Sequence, residues 1–267
     1  MLQFHVYPGG KKRIVTFSYD DGSGNDPRLI ELFNKYGVKG TFHLNTRVFE
    51  KMTDESEKKA FVDRYIGHEV ACHTVHHGWP TRMPASSLLN ELINDRRDLE
   101  KYTGYPVVGM SYPCGDYDDR VLGALTACGI VYSRTTKATF NFGFPDDWRV
   151  WHPTCHHRDA DKPIADFLSR LDSEWTRPML YIWGHSHEFK TEEDWAKMEE
   201  TVSKIAGLDQ VWYATNIEIY DYIEATRRVR VSADEKTLYN PSSVDVWVER
   251  DKKEIFTIPA GKTVTLP

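Results

Sequence analysis

Four short clusters in this 267-residue chain carry side chains able to bind a metal or move protons. They are Asp20-Asp21, His73-Thr74-Val75-His76-His77, Ser111-Tyr112-Pro113-Cys114-Gly115 and His185-Ser186-His187. His73 and His77 stand one helical turn apart, so a helical turn there would aim both imidazoles the same way. Imidazole nitrogen suits zinc and neighbouring divalent ions. A carboxylate from Asp20 or Asp21 would complete three ligands and leave a position open for water, as a catalytic metal requires. Taken singly the signals are weak. Two histidines four apart are more often ordinary polar loop residues, and Asp-Asp-Gly is good turn chemistry.

The elements that must position these residues alternate. Runs rich in β-branched and aromatic residues predict strands at 13–18, 38–44, 68–72, 107–112, 130–135, 179–183 and 210–214. Helices are predicted at 27–36, 55–66, 85–102 and 192–206. Asp26-Pro27, Asp54 with Glu57, and Thr191 with Asp194 supply start signals, and Gly37, Gly104 and Gly207 follow the ends. Seven β–α alternations imply a parallel sheet with helices outside, closed into a distorted (β/α) barrel, with an open doubly wound sheet as the alternative. Either form gathers its site beyond the carboxyl ends of the strands, where all four clusters lie. Residues 136–160 form a long connection without periodicity, which in a compact domain usually has a function. Beyond residue 226 short alternating runs (RRVRVS, VDVWVE, EIFTI, KTVTL) suggest a small β appendix, dividing the chain into 1–225 and 226–267.

Together the clusters resemble the motifs of the polysaccharide deacetylase family, carbohydrate esterase family four. Thr16-Phe17-Ser18-Tyr19-Asp20-Asp21-Gly22 is similar to T-F-D-D-G, with two extra residues before the Asp pair, and His73-Thr74-x-x-His77 matches H-[ST]-x-x-H. The resemblance covers roughly residues 13–225. It implies a distorted barrel holding a divalent metal, usually zinc, on Asp21, His73 and His77, with Asp20 as general base. The third motif, R-x-P-Y-G, aligns with Ser111-Tyr112-Pro113-Cys114-Gly115, which makes the Cys114 amide the oxyanion donor. Ser111 stands where the family has an arginine that orients the catalytic Asp, and Arg134 is the substitute expected here. Asp146-Asp147-Trp148 loosely resembles the fourth motif. Trp148, with Trp151, would wall a sugar pocket or simply pack the loop, and Tyr112 and Arg134 are counted with the substrate contacts. The last motif supplies a His that protonates the leaving amine, His185 in preference to His187. His43 and Asn45 could reach the pocket but read better as strand-end packing; Cys72 should face the core. His152, His156 and His157 have no counterpart in the family pattern.

The remaining sequence bounds the reading. A net charge of −6 without a block of Lys or Arg disfavours a nucleic-acid partner. No stretch is long and apolar enough to span a membrane. The start MLQFHVYPGGKK does not read as a signal peptide, and Cys72, Cys114, Cys128 and Cys155 match no zinc spacing, so reduced thiols and a cytoplasmic location are expected, with a trimmed secreted form as the alternative. That location favours a small acetylated saccharide or precursor over assembled polymer. The expected activity is hydrolysis of an acetamido group on a sugar. An O-acetyl ester or a non-sugar amide remains open with the same metal site, as does a non-catalytic sugar binder. Oligomeric state is not legible.

Overall fold

Residues 1–173 and 178–267 are described by the computed structural model. After a short strand β1 (Leu2–Gln3), the parallel strands are β2 (Arg13–Asp20), β3 (Gly40–Leu44), β4 (Glu69–Cys72), β5 (Gly109–Ser111), β6 (Tyr132–Arg134), β7 (Cys155–His156), β8 (Met179–His185) and β9 (Val211–Tyr213). Their spatial order is β6-β5-β4-β3-β2-β8-β7, with β9 pairing the first residues of β2 and β3 the last. All eight residues of β2 are buried, as expected of a parallel strand covered on both faces. Alternation divides them. Phe17 and Tyr19 pack outward on Phe33 of helix α1 (Asp26–Tyr36), with ring centroids 4.7 and 5.9 Å apart. Thr16, Ser18 and Asp20 face a polar interior: Thr16 donates to Asn216 Oδ1 (3.1 Å), and Ser18 Oγ lies 2.9 Å from His43 Nε2.

The sheet closes through the segment after β6. The Trp151 amide donates to Ser133 O (2.9 Å) and the Thr135 amide to Trp151 O (3.0 Å). Four residues on, Cys155 and His156 pair in parallel with Ile182 and Trp183 of β8. The architecture is therefore a distorted (β/α) barrel rather than an open sheet. The stretch 136–160, aperiodic in sequence, carries this closure, because a two-residue strand is too short to show a period of two.

The helical layer comprises α1, α2 (Glu55–Asp63), α3 (Ala85–Thr103), α4 (Asp119–Ala127), α5 (Asp161–Leu168), α6 (Glu192–Ile205) and α7 (Asn216–Arg228). Gly37 and Gly104 end their helices in the left-handed region at φ 65° and 75°, and Thr191 with Asp194 forms a full capping box. A second box, Thr215 with Glu218, starts α7. At the barrel floor, Tyr132, Trp148, Trp151, Tyr181 and Tyr222 form an aromatic cluster. The remaining strands, β10 (Arg230–Val231), β11 (Thr237–Tyr239), β12 (Val246–Arg250), β13 (Glu254–Ile258) and β14 (Thr263–Thr265), make two three-stranded antiparallel sheets. One takes β1 as its edge, so the N-terminus joins the C-terminal sheets around Leu238, Val246, Val248 and Ile258. Among the described residues no helix is long and apolar enough to cross a membrane.

Buried carboxyls tie this frame together. Glu69 Oε2 accepts from Thr41 Oγ1 and the Ile217 amide (both 2.9 Å), and its Oε1 accepts from Tyr132 (2.6 Å). Burial nevertheless pushes its pKa up to about 7. A carboxyl whose pKa is raised on folding contributes most below its unfolded value, and that contribution is lost as pH rises through 7. The wild-type melting temperature should therefore fall between pH 6 and pH 8. Glu69→Gln, which removes the charge and keeps one accepting oxygen, should be spared about 1 kcal/mol of that pH-dependent loss. Thermal melts at both pH values check this.

Candidate metal and catalytic site

At the end of β2 the chain turns through Asp21 (φ 79°) and Gly22 (φ 62°), with the Asp21 amide donating to His43 O (2.9 Å). Alternation sends Asp20 into the barrel, 2% exposed, and leaves Asp21 at the mouth with 28% of its side chain open. His73 follows β4 and is also buried. The stretch from His73 to His77 is not a helical turn as expected. Thr74 (φ 63°) and His77 (φ 55°) take left-handed conformations, and the His77 amide donates to Thr74 Oγ1 (3.1 Å). This tighter curl still brings the rings together, with centroids 4.8 Å apart. His73 Nε2 and His77 Nε2 each lie 3.5 Å from Asp21 Oδ1. Backbone strain of order 1 kcal/mol per residue persists only where the surroundings over-determine it. Here Asn45 Nδ2 donates to His73 O (2.6 Å) and Thr74 O (2.9 Å), and Asp95 Oδ2 accepts from the His73 amide (2.9 Å).

The donor set fits a divalent metal. His73 Nδ1 lies 2.9 Å from the Ser111 carbonyl, an acceptor only, so Nδ1 carries the proton and Nε2 presents a lone pair. That Nε2 is buried without a hydrogen-bond partner. It faces Asp21 and His77, and the three ligand atoms lie within 4.8 Å of one another.

Asp20 is held differently. Arg134 Nη2, from the end of β6, donates to Asp20 Oδ2. Ser111 Oγ donates to Asp20 Oδ1 (3.0 Å). Burial alone would push this carboxyl up, but the charges of Arg134, His73 and His43 and the guanidinium hydrogen bond outweigh it and hold it well below the usual range. Arg134 is fully buried, donates also to Thr135 O (3.2 Å) and lies 4.4 Å over the Trp183 ring. It thus meets Asp20 as the expected substitute for the missing arginine. It is not open to a substrate, which corrects its place among the substrate contacts.

His185 ends β8 with Nε2 4.0 Å from Asp20 Oδ2 and Nδ1 3.0 Å from Glu188 Oε1. Burial opposes its positive charge, but the Glu188 hydrogen bond and the charges of Asp20 and Asp21 leave its pKa raised. His187 is half exposed, with Nδ1 3.7 Å from Asp21 Oδ2. Glu188 also faces His156 and His157 from the closing segment, at 3.3 and 3.1 Å. No sequence signal marked Glu188; its place three residues past His185, in a short turn after a strand, was the available clue.

The other candidates separate. Cys114 is exposed in a left-handed turn (φ 56°) at the mouth, close enough to Asp21 for its thiol to feel that charge. Tyr112 is buried with its hydroxyl donating to Arg149 O (2.6 Å), and Trp148 lies in the floor cluster with Nε1 donating to Glu224 Oε1 (2.9 Å). Neither ring is free to stack on a sugar: the loop-packing alternative describes Trp148 and Trp151. Asp147 pairs with Arg149. His43 is fully buried on Ser18, His152 lies 2.5 Å from Thr135 Oγ1, and Cys72 is core. Trp79, two residues past His77 and 43% exposed, is an accessible ring that the motifs did not single out.

Comparison with known proteins bears on family resemblance and fold. Residues 8–133 match the polysaccharide deacetylase family. A bifunctional xylanase/deacetylase from Pseudobutyrivibrio xylanivorans is 30% identical over 84 residues, a match that spans 30% of this chain and only 13% of that protein's length. A structure described as a polysaccharide deacetylase from Mycobacterium smegmatis superposes with a TM-score of 0.62 at 16% identity, covering 83% of this chain and 93% of that one. Puue allantoinase gives 0.63 at 14% identity over 80% and 90%. A pseudoenzyme of carbohydrate esterase family four from Bacillus anthracis gives 0.51 at 20% identity over 79% and 66%. At these identities the superpositions bear on fold alone. The resemblance drawn from the motifs is matched over residues 8–133, just under half of the chain, by the polysaccharide deacetylase family.

Removing one member of a buried ion pair leaves the other charge stranded, at about 3 kcal/mol or more. Arg134→Met should therefore destabilise the fold by that order, and adding Asp20→Asn should recover much of the loss. Denaturant unfolding of the wild type, both single variants and the double variant measures the coupling.

Proposed function

We propose that this protein is a metal-dependent hydrolase that removes an acetyl group from an N-acetylated sugar. The observation that carries the reading is the bare, buried His73 Nε2 aimed at Asp21 and His77, next to a second carboxylate that no ligand position uses. Asp21, His73 and His77 would hold the metal, most plainly zinc given two imidazoles and a carboxylate. When bound, such an ion acidifies a water and polarises a carbonyl.

The chain's own groups supply the rest. Asp20 stays ionised at neutral pH, held by Arg134 and Ser111, and accepts the proton of the attacking water. The Cys114 amide, on its left-handed turn at the mouth, is the donor for the developing oxyanion. His185, whose pKa the Glu188 hydrogen bond and the nearby aspartates raise against its burial, gives its proton to the departing amine. A non-catalytic sugar binder drew its support from Ser111 in place of arginine, and the Arg134 contact with Asp20 removes that support. The acetyl-ester and non-sugar amide readings share this site. With Tyr112 and Trp148 buried, the saccharide would meet Trp79 or the exposed loops instead.

Acetate release from N- and O-acetylated mono- and oligosaccharides, with metal supplied and then chelated, tests the proposal. Chelator-sensitive release from an acetamido sugar is expected. Release from O-acetyl substrates alone would make the protein an esterase, and no release from metal-loaded protein would contradict the reading.

Glu188 gives a second test. His185 must be protonated to act, so activity should fall as pH rises through its pKa. Glu188→Gln removes a raising influence, and the alkaline limb of the kcat/KM profile should move to lower pH. A limb that stays in place would show that another group sets it.

A further inference from the structure

His156, His157 and Glu188 form a second cluster, outside the residues proposed for the catalytic metal. His156 Nε2 and His157 Nε2 lie 3.3 and 3.1 Å from Glu188 Oε2, and the three ligand atoms fall within 4.8 Å of one another. Ligands of a tetrahedral zinc at about 2.0–2.1 Å stand roughly 3.3 Å apart, and the two separations to Glu188 Oε2 match that spacing. The side chains are 14%, 7% and 13% exposed.

The cluster is built by packing. His157 lies parallel to the Tyr19 ring, with centroids 5.8 Å apart and planes 8° from parallel. It occupies space that only a glycine leaves: a Cβ at Gly184 would sit 2.0 Å from His157 Nδ1. That Nδ1 is 3.4 Å from the Tyr19 hydroxyl, so a proton on Nδ1 can point there while Nε2 turns a lone pair to Glu188. His156 stands edge-on to Trp183, with centroids 4.8 Å apart. Two imidazole nitrogens and a carboxylate oxygen converge there, a donor set that suits a divalent cation once both imidazoles turn a lone pair inward. Arg158 Nη2, 3.0 Å from Glu188 Oε2, is the competing cation, but its side chain is 66% exposed and free to swing out. His156 Nδ1 accepts a 3.3 Å contact from the Arg158 amide, which is given up when the imidazole proton moves from Nε2 to Nδ1.

We infer that His156, His157 and Glu188 form a second divalent-metal site, of zinc type. It clasps the barrel-closing segment β7 to the turn after β8. Glu188 then serves both sides of the mouth, Oε1 on His185 and Oε2 on the clasp. The inference stands whether or not the Asp21 site is catalytic.

Zinc titrated onto metal-stripped protein, followed by calorimetry and by metal analysis after gel filtration, tests it. Two equivalents are expected in the wild type. One should remain in Asp21→Ala, and that one should vanish in Asp21→Ala with His156→Ala and His157→Gln. His156→Ala alone, a milder change at the surface, should weaken this equivalent about tenfold or more. Zinc should also raise the melting temperature of Asp21→Ala, a readout that needs no change at the clasp. No zinc equivalent and no thermal shift in Asp21→Ala, or an equivalent indifferent to His156 and His157, would overturn the second site. A wild type that binds one equivalent, unaffected by Asp21→Ala and lost with His156 and His157, would count against the catalytic metal and support this one.

Discussion

One buried ion pair organises the mouth of the barrel. A carboxylate with 2% exposure would ordinarily take up a proton, and the Arg134 guanidinium prevents this for Asp20. Its consequence is a division of labour between neighbours in sequence. Strand alternation turns Asp20 inward to Arg134 and Asp21 outward to the imidazoles, so one carboxylate is available for a metal and the other is kept from it.

Arg134 can reach Asp20 because the barrel closes. It ends β6, whose free edge is taken by Trp151, and the same segment continues into β7 against β8. The closing segment thus sets the distance between the strand that carries Arg134 and the strands that carry Asp20 and His185. The loops above are held as firmly. Asp95 Oδ1 accepts from the Thr46 amide and hydroxyl, at 2.9 and 2.8 Å, while its other oxygen holds the His73 amide. A residue on α3 thereby fixes the backbone of His73 without touching its side chain.

Much of this was legible in the sequence for a physical reason. Strands buried on both faces read as apolar runs, and α1, α3 and α6 carry caps whose chemistry is local. The meeting of Asp21, His73 and His77 was anticipated by the motif resemblance, whereas spacing alone left Asp20 or Asp21 open, and the stretch from His73 to His77 carries left-handed residues rather than a helical turn. What was not legible depends on long-range closure. Strand β7 is too short to carry a period, so the convergence of His156 and His157 on Glu188 had no local signature. Tyr112 and Trp148 illustrate the opposite error. An aromatic next to a motif looks like a sugar platform until burial and a satisfied polar tip show it to be core.

The division of labour between the two carboxylates is tested most directly by comparing metal content and turnover in Asp20→Asn and Asp21→Asn. The account expects Asp20→Asn to keep its His73-dependent zinc while losing turnover by several orders of magnitude, and Asp21→Asn to lose both. If Asp20→Asn releases that zinc, or turns over at the wild-type rate, Asp20 is not the free base and the assignment of the site is wrong.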